Sequence, residues 1–446
     1  MQASGVFSLA LVMRCHYLCG ERTRVLVSNI CNDSIQNTII SRNGRVSVAA
    51  LSKQVHSYRL RQMRALMQLC GYDALAFTTA DWFEWASNHE PREYAWERPF
   101  LLIVPMEGPS IAFLSEQSRL LADLEASHGT LWADLRIHYA ESNCDGHEHW
   151  QLPQWAMMVA DTLTERKLQR ARIGLDSSGG AMAEVQKLLP GLEIRPCGLS
   201  LRALRRIKHS EELETMQVAA ALSDWAMAAY REELKPGQLL AELDYRICER
   251  LAVEAARRVP GDNYAINRLK TLSGTNSACP HGDDKPTGRR VEPDAIAITT
   301  IVTRLNGVAM ELTRPWLVGT PPDEAVKLFD CVSRAHAAAL EAAVPGLPVS
   351  GIQRAAERIF QHTQWRDWFR LRAGHGIGVV LHDFPHDMAF ERRPLEKDET
   401  YAIEPGIYLG HLGGMRFADT VVIGTGGAEQ LTRAPKDRRS LSINQV

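Results

Sequence analysis

The stretch RAGHGIGVVLHDFPHD, residues Arg372–Asp387, constrains the fold more than any other part of the chain. It holds two histidines, His375 and His382, and three glycines lie next to or close behind the first of them. Glycines at this density disfavour a helix or an ordinary strand, but they permit positive φ and close backbone approach. The pattern therefore predicts that His375 is presented to a cavity and is not packed in a core.

Length and composition predict a two-domain globular protein, because 446 residues exceed what one hydrophobic core usually holds. The apolar share of 45% and the charged share of 23% are typical of a globular chain. The net charge of −2, with both signs mixed, argues against a nucleic-acid partner and against a membrane partner. Nine cysteines without a CxxC pair predict reduced thiols, so we expect a cytoplasmic protein.

The first half of the chain predicts an α/β domain. Residues 1–45 show little periodicity, which predicts a poorly structured N-terminal arm. From Leu51 onward helical patterns alternate with strand patterns, and this alternation predicts an α/β domain over residues 46–200. Within it, the segment DWFEWASNHEPREYAWERP, residues 81–99, is expected to be an aromatic and charged loop.

The second half predicts a domain of a different class. A helix pair, strands, a second helix pair and further strands follow one another over residues 201–440, which is an internal near-repeat of α+β type. Ser210 is the predicted N-cap of its first helix, since two glutamates follow in the first turn. Glu404 and Arg416 lie in glycine-bounded strand patterns near the end of this domain.

Five ordered motifs in this second half resemble the pita-bread family, which includes methionine aminopeptidase, aminopeptidase P, prolidase and creatinase. They are SGTNSACPHGDD with His281, NGVAMELTRPWLVG with Glu311, HGIG…H with His375 and His382, EPG with Glu404, and GGMRFADT with Arg416. The resemblance implies an α/β N-terminal domain and an α+β pita-bread C-terminal domain. In that fold two αβ halves surround a pseudo-twofold axis, and the site lies in a curved sheet.

The resemblance also implies a pair of divalent metals held by Asp, Asp, His, Glu and Glu, and this chain departs from that pattern. The first Asp falls on Thr299 or Thr300, depending on the end from which residues are counted. The second Asp falls on Glu311, and the last Glu falls on Ala418. Because two ligands are lost, we expect no two-metal centre.

Three of the family's ligand positions keep a group that can bind a metal, namely Glu311, His375 and Glu404. Our expectation is that no cofactor is bound. The alternative is one divalent ion on these three residues, and their donor atoms suit Mn, Co, Zn or Fe.

Creatinase and ectoine hydrolase are relatives that work without metal, and the resemblance to them sets the leading functional hypothesis. It predicts a metal-independent hydrolase that cleaves a C–N bond of a small nitrogenous compound. His281 is the predicted general acid/base, because a neutral imidazole can take a proton from water and return it to the leaving nitrogen. The other predicted catalytic residues are Glu311, His375, His382 and Glu404.

Four residues are predicted to bind the substrate: Arg416, Trp85, Arg92 and Trp96. The last three are included because the N-terminal domain in this family closes over the site, often over that of the partner subunit. The resemblance therefore implies a homodimer that acts on a small-molecule substrate.

Three alternatives remain open from the sequence. The first is a metal-dependent Xaa-Pro aminopeptidase or dipeptidase with a reduced mononuclear site, in which His281 and His382 act at the substrate amide. The second is a lyase for small sulfonium substrates, and the third is a non-catalytic scaffold. The retained His281, His375 and Glu404 argue against a complete loss of chemistry.

Overall fold

The computed structural model describes residues 40–42, 45–47, 51–140, 151–282 and 288–444. Most of the predicted N-terminal arm, residues 1–45, lies outside these ranges, although Ile40–Arg42 (β1) pairs antiparallel with Arg45–Ser47 (β2). Within the described ranges, none of the helices has the length and apolarity that a membrane crossing requires.

The N-terminal domain is a six-stranded mixed sheet with helices on both faces. Alternate residues of its strand Ala74–Phe77 belong to two separate apolar clusters, so both faces of the sheet are covered. The sheet order is β6-β5-β4-β3-β7-β8. Its elements are α1 Lys53–Cys70, β3 Ala74–Phe77, α2 Ala80–Ser87, β4 Leu101–Pro105, β5 Ile111–Ser115, α3 Arg119–His128, β6 Leu135–Tyr139, α4 Gln151–Glu165, β7 Arg172–Leu175, α5 Met182–Leu188, β8 Glu193–Pro196 and α6 Gly198–Leu201.

The predicted loop over residues 81–99 is wrong in its first part, because α2 occupies residues up to Ser87. Trp82, Phe83, Trp85 and Ala86 are buried, and their spacing places them on one face of a helix. Burial of these large side chains against the sheet outweighs the weak helix propensity of aromatic residues.

The C-terminal domain is built on a curved antiparallel sheet in the order β12-β13-β16-β11-β10-β9, with β17 beside β16 and β18 parallel to β11. Its helices pack as two pairs against one face of this sheet. The elements are α7 Ser210–Glu233, α8 Leu240–Arg258, β9 Tyr264–Ser273, β10 Ile296–Leu305, β11 Val308–Val318, α9 Asp323–Ala342, α10 Ser350–Phe360, β12 Gly374–Gly376, β13 Thr400–Ile403, β14 Gly406–Leu409, β15 Gly413–Arg416, β16 Ala418–Ile423, β17 Ala428–Gln430 and β18 Ser442–Ile443. The predicted fold class is thus confirmed, while the exact domain limits stay predictions.

The N-cap of the first helix of this domain lies one residue earlier than predicted. His209, not Ser210, is the N-cap of α7, since its side chain accepts from the backbone N–H of Glu211. Glu212 completes the capping box by accepting from the His209 backbone N–H at 2.7 Å. The Glu212 carboxylate also lies 2.7 Å from the Arg59 guanidinium of α1, and this buried ion pair joins the two domains.

The opposite faces of β11 have different roles. Met310 and Leu312 join the large apolar cluster beneath the helices. Successive side chains of a strand point to opposite faces, so Glu311 and Thr313 point away from that cluster. The curved sheet therefore separates an apolar face, covered by helices, from a polar face that carries the candidate site.

His336, on α9, gives the domain a predicted acid sensitivity. Burial lowers its pKa to about 3 from the ordinary 6.5, against the raising effect of Asp419, and Lys436 and Arg314 lower it further. Between these two values the unfolded chain binds more protons, so stability falls as pH drops from 6.5 toward 3. We expect His336→Gln to reduce this loss by up to roughly 1 kcal/mol per pH unit. Urea unfolding at pH 7, 6, 5 and 4 measures the free energy of unfolding of wild type and of His336→Gln. Equal slopes of this free energy against pH in the two proteins would contradict the prediction.

Candidate active site

Four predicted site residues meet on the polar face of the curved sheet. Glu311 lies on β11, His375 on β12, Glu404 directly after β13, and Arg416 at the end of β15. All four side chains are buried. The structure therefore brings together residues that span 105 positions of the sequence, from Glu311 to Arg416.

The glycines around His375 have a structural explanation that differs from the prediction. Gly374–Gly376 does form a strand, paired with β13. A Cβ on Gly374 would lie 2.1 Å from the carbonyl oxygen of Ala402, and one on Gly376 would lie 2.4 Å from that of Phe384. Glycine is therefore required because neighbouring backbone approaches both sides of β12, and this approach fixes the position of the His375 ring.

Three potential ligand atoms converge at the centre of the site. His375 Nε2 lies 3.5 Å from Glu311 Oε2 and 3.4 Å from Glu404 Oε1. One ligand atom from each residue lies within 4.8 Å of the other two. Two carboxylates and an imidazole at this spacing form a donor set that suits Mn, Fe, Co or Zn.

The hydrogen-bond pattern fits a metal ligand role for His375. Its Nδ1 lies 2.9 Å from the carbonyl oxygen of Gly376, and a carbonyl can only accept, so Nδ1 carries the proton. In the neutral ring, Nε2 then presents a lone pair to the two glutamates. Both Nε2 and Glu311 Oε2 are buried without a hydrogen-bond partner among the described residues. Such orphaned atoms that face one another are what a single divalent ion would satisfy.

The charges of the group are strongly coupled. Burial opposes ionisation of Glu311, but His375 and Arg416 together hold its pKa at about 2. Burial and the negative charge of Glu311 raise the pKa of Glu404. Burial works against protonation of His375, yet the two glutamates raise its pKa above the ordinary value. The two carboxylates thus favour a positive charge between them, whether a proton on His375 Nε2 or a metal ion supplies it.

The structure decides between the two threonines that the sequence left open. Thr299 Oγ1 accepts from Trp316 Nε1 at 2.8 Å and lies 3.0 Å from Thr271, away from the site. Thr300 Oγ1 accepts from Arg416 Nη2 at 2.9 Å, inside the site. Thr300 is therefore the residue that occupies the first ligand position.

Among the described residues, the strand row beside the three potential ligands offers no carboxylate for a second metal. Thr300, Thr313 and Ala418 are opposite one another across β10, β11 and β16, so this row carries no carboxylate. The guanidinium of Arg416 lies against the row and donates to Thr300 and Thr313 at 2.9 and 3.3 Å. It also donates to Glu404 at 3.3 Å. A fixed cation and two hydroxyls take the place that further carboxylates would need.

His382 lies at the exposed rim of the site. Its ring centroid is 4.2 Å from that of His375. Arg372 Nη2 lies 3.3 Å from each of its ring nitrogens. Partial burial, then His375 and Arg372, lower the pKa of His382 to about 4, so this imidazole is neutral at pH 7.

His281 also lies at the exposed rim, and no hydrogen bond among the described residues joins it to the three central residues. Its Nδ1 lies 3.2 Å from Arg268 Nη1. A guanidinium can only donate, so Nδ1 is the acceptor and Nε2 carries the proton of the neutral ring. Partial burial, then Arg268 and Arg416, lower the pKa of His281.

No hydrogen bond or ion pair among the described residues joins the three substrate residues predicted in the N-terminal domain to this site. Trp85 is buried against Trp82 and lies 5.2 Å from the Arg59 guanidinium, and its role as a substrate residue stays a prediction. Arg92 and Trp96 are exposed, and the Trp96 ring stacks on a neighbouring tyrosine. Their contact with the site of a partner subunit stays a prediction.

Two arginines of the site were not predicted from the sequence. Arg372 lies three residues before His375 in the same glycine-rich stretch, and its charge was a signal that could have been used. No such signal marked Arg268. It lies on β9, and the turn that follows this strand brings His281 back to the Arg268 guanidinium.

Comparison with known proteins agrees with this geometry. Residues 214–425 match the model of metallopeptidase family M24. The chain is 29% identical over 237 residues to an Xaa-Pro dipeptidase of Pyrococcus furiosus, a match that covers 53% of this chain and 66% of that relative. It is 26% identical over 314 residues to the putative dipeptidase YkvY of Bacillus subtilis, covering 69% and 80% of the two chains. The dipeptidase PepE of Mycobacterium ulcerans superposes with a TM-score of 0.72 at 24% identity, covering 89% and 100%.

These findings correct the leading functional hypothesis. The expectation of a metal-independent, creatinase-like hydrolase is wrong, because the relatives are Xaa-Pro dipeptidases and a dipeptidase-like protein. The expectation that no cofactor is bound also loses its support, since the three central residues form a group that could hold a metal. The broader prediction of a hydrolase that acts on C–N bonds is confirmed, since a peptidase cleaves such a bond. Residues 214–425 thus match metallopeptidase family M24, and the fold of the chain is that of the solved dipeptidase.

Proposed function

We propose that this protein is a metal-dependent Xaa-Pro dipeptidase that holds one divalent ion on Glu311, His375 and Glu404. The observation that carries the proposal is the convergence of three buried ligand atoms within 4.8 Å of one another, two of which have no hydrogen-bond partner in the part of the chain that the structure describes. The names of the relatives support a dipeptide substrate. Since the match spans 66% of the first relative's length, the activity of the whole chain is a proposal.

A divalent ion bound here would polarise the scissile carbonyl and make water a better nucleophile near neutral pH. Glu404 Oε1 faces the same point as His375 Nε2, so this carboxylate can accept the proton that the attacking water loses. Arg416 holds the other oxygen of Glu404 at 3.3 Å and fixes its orientation.

The two rim histidines act on the substrate amide. His281 presents Nε2–H, because Arg268 occupies its Nδ1, and this proton can be donated to the scissile carbonyl oxygen as charge develops there. His382 is neutral at pH 7 and lies beside His375, so its N–H can donate a proton to the proline nitrogen, which carries no hydrogen, as the scissile bond breaks.

The proposal predicts chelator-sensitive cleavage of Xaa-Pro dipeptides with about one metal ion per chain. Ala-Pro and Leu-Pro would be tested beside Ala-Ala, and metal content would be measured by plasma mass spectrometry. We expect chelation to lower the rate by at least roughly 100-fold, and Mn, Co, Zn or Fe to restore it.

Two outcomes would contradict this proposal. Full activity in protein from which metal has been removed would exclude a metal-dependent step. Two equivalents of metal per chain would exclude the mononuclear site. Arg392→Met, which changes an exposed arginine, serves as the control and is expected to keep wild-type rate and metal content.

Homodimerisation and a cytoplasmic location are also proposals. Tyr94 and Trp96 support the first, because they are 69% and 83% exposed and form an apolar pair on the surface of the N-terminal domain. The cysteine pattern supports the second. Sedimentation equilibrium and cell fractionation would test them.

A further inference from the structure

A cavity of about 460 Å³ lies at the junction of the two domains. Asp81 and Trp82 of α2 form one wall, and the 3-10 helix Arg202–Arg205 forms a second. The loop from Val380 to His386 closes it from the C-terminal domain. The volume is that of a small-molecule pocket.

One arginine of this cavity pairs with two carboxylates of the protein. Arg205 Nη1 lies 2.7 Å from Asp81 Oδ2, and Nη2 lies 3.1 Å from Asp383 Oδ1. Its guanidinium also covers the ring of Trp82 at 3.9 Å. Arg205 therefore joins the domains, and each of the two carboxylates that line the cavity uses one oxygen to bind it.

The second arginine is different. Arg202 is half-buried, lines the cavity, and has no carboxylate partner among the described residues. Its guanidinium lies 5.9 Å from the centroid of the Phe384 ring, a contact that orients it without neutralising its charge. Both carboxylates that line the cavity form their ion pairs with Arg205 and not with Arg202, so the charge of Arg202 is available to a ligand.

The cavity borders the candidate active site at His382. This residue lines the cavity, and its ring lies 4.2 Å from that of His375. His386 Nδ1 donates to the backbone carbonyl of His382 at 3.1 Å, which holds the shared wall in place. A substrate that reached past His382 from the site would meet the guanidinium of Arg202.

We propose that this cavity is a substrate subsite that binds a carboxylate, with Arg202 as the specificity-determining residue. The inference rests on the proposed peptidase function. Guanidinium recognises carboxylates through paired N–H donors, and the partial burial of Arg202 strengthens that contact. The carboxylate can be the C-terminus of a dipeptide or an acidic side chain of its first residue, because both present the same chemistry.

The test compares four substrates in the metal-loaded enzyme. Ala-Pro and Ala-Pro-amide differ in the terminal carboxylate, while Glu-Pro and Gln-Pro differ in the side chain. We expect Arg202→Met to raise KM about 10- to 100-fold for the substrates that carry the recognised carboxylate, with kcat little changed. The KM of Arg202→Lys should lie between those of wild type and Arg202→Met, and the KM of Arg392→Met should equal that of wild type. The pair whose preference disappears identifies the source of the carboxylate.

A binding measurement separates this inference from the peptidase proposal. Glutarate and glutaramide would be titrated calorimetrically into wild type and Arg202→Met, with melting temperatures recorded to confirm folding. Glutarate binding that Arg202→Met abolishes supports the subsite even if no peptide is cleaved. Unchanged KM values for all four dipeptides, together with unchanged glutarate affinity, would overturn it.

Discussion

Replacement of His375 by alanine is expected to abolish tight metal binding and to lower kcat/KM by roughly 1,000-fold or more. Loss of a residue that only hydrogen-bonds to a metal ligand lowers metal affinity or activity about 10- to 100-fold. His375 is itself a proposed ligand, so a larger effect is expected. Its Nε2 is the atom that faces both Glu311 and Glu404, so its removal leaves two buried carboxylates without a shared partner. Metal analysis and kinetics with Ala-Pro measure the effect.

His382→Ala is the matched control for this variant. It removes the neighbouring imidazole, whose ring is 4.2 Å away, but it leaves all three proposed ligands in place. We expect full metal content and a reduced rate. Because His375→Ala could weaken folding, Glu404→Gln provides a second test, and circular dichroism would be recorded for each. A full equivalent of metal in both His375→Ala and Glu404→Gln would refute the assigned site.

Asp419→Ala is expected to cost about 3–5 kcal/mol of stability, the largest effect we predict outside the site. Asp419 is fully buried, and it accepts from Arg314 and from Thr432 at 2.7 Å each. Without it, the Arg314 guanidinium keeps its bonds to backbone carbonyls but remains a buried, unpaired charge. The melting temperature should fall by roughly 6–20 °C.

Asp330→Ala is the control for this prediction, because Asp330 also pairs with an arginine, Arg438, but at the surface. Such an exposed pair contributes about 0–1 kcal/mol. The double variant Arg314→Met, Asp419→Ala removes both charges and should recover part of the loss. Equal unfolding midpoints for Asp419→Ala and Asp330→Ala would contradict our account of the buried pair.

Several features followed from local sequence because their causes are local. The end of α1 at Gly71 is one, since a left-handed residue with φ of 68° was needed there. The strand patterns around Glu311 and Glu404 are others, because alternation and flanking glycines are visible in the chain. The helix α2 was missed because its stability comes from burial of Trp82, Phe83 and Trp85 against a sheet formed elsewhere.

The features of the site also fall into those that the sequence predicts and those that only the tertiary structure shows. The sequence alone determined the order of the motifs, the loss of carboxylates at two ligand positions, and the survival of Glu311, His375 and Glu404. Only the tertiary structure decided that Thr300 and not Thr299 faces the site, since strand pairing sets which side of β10 each occupies.

The chain by itself thus determined which chemical groups are present and in what order, because residue type and spacing are encoded directly. The folded structure decided which groups meet, because distances between β9, β11, β12 and β13 depend on sheet curvature and register. That is why Arg268 beside His281, Arg416 against Thr300, and the cavity at Arg202 became visible only in three dimensions.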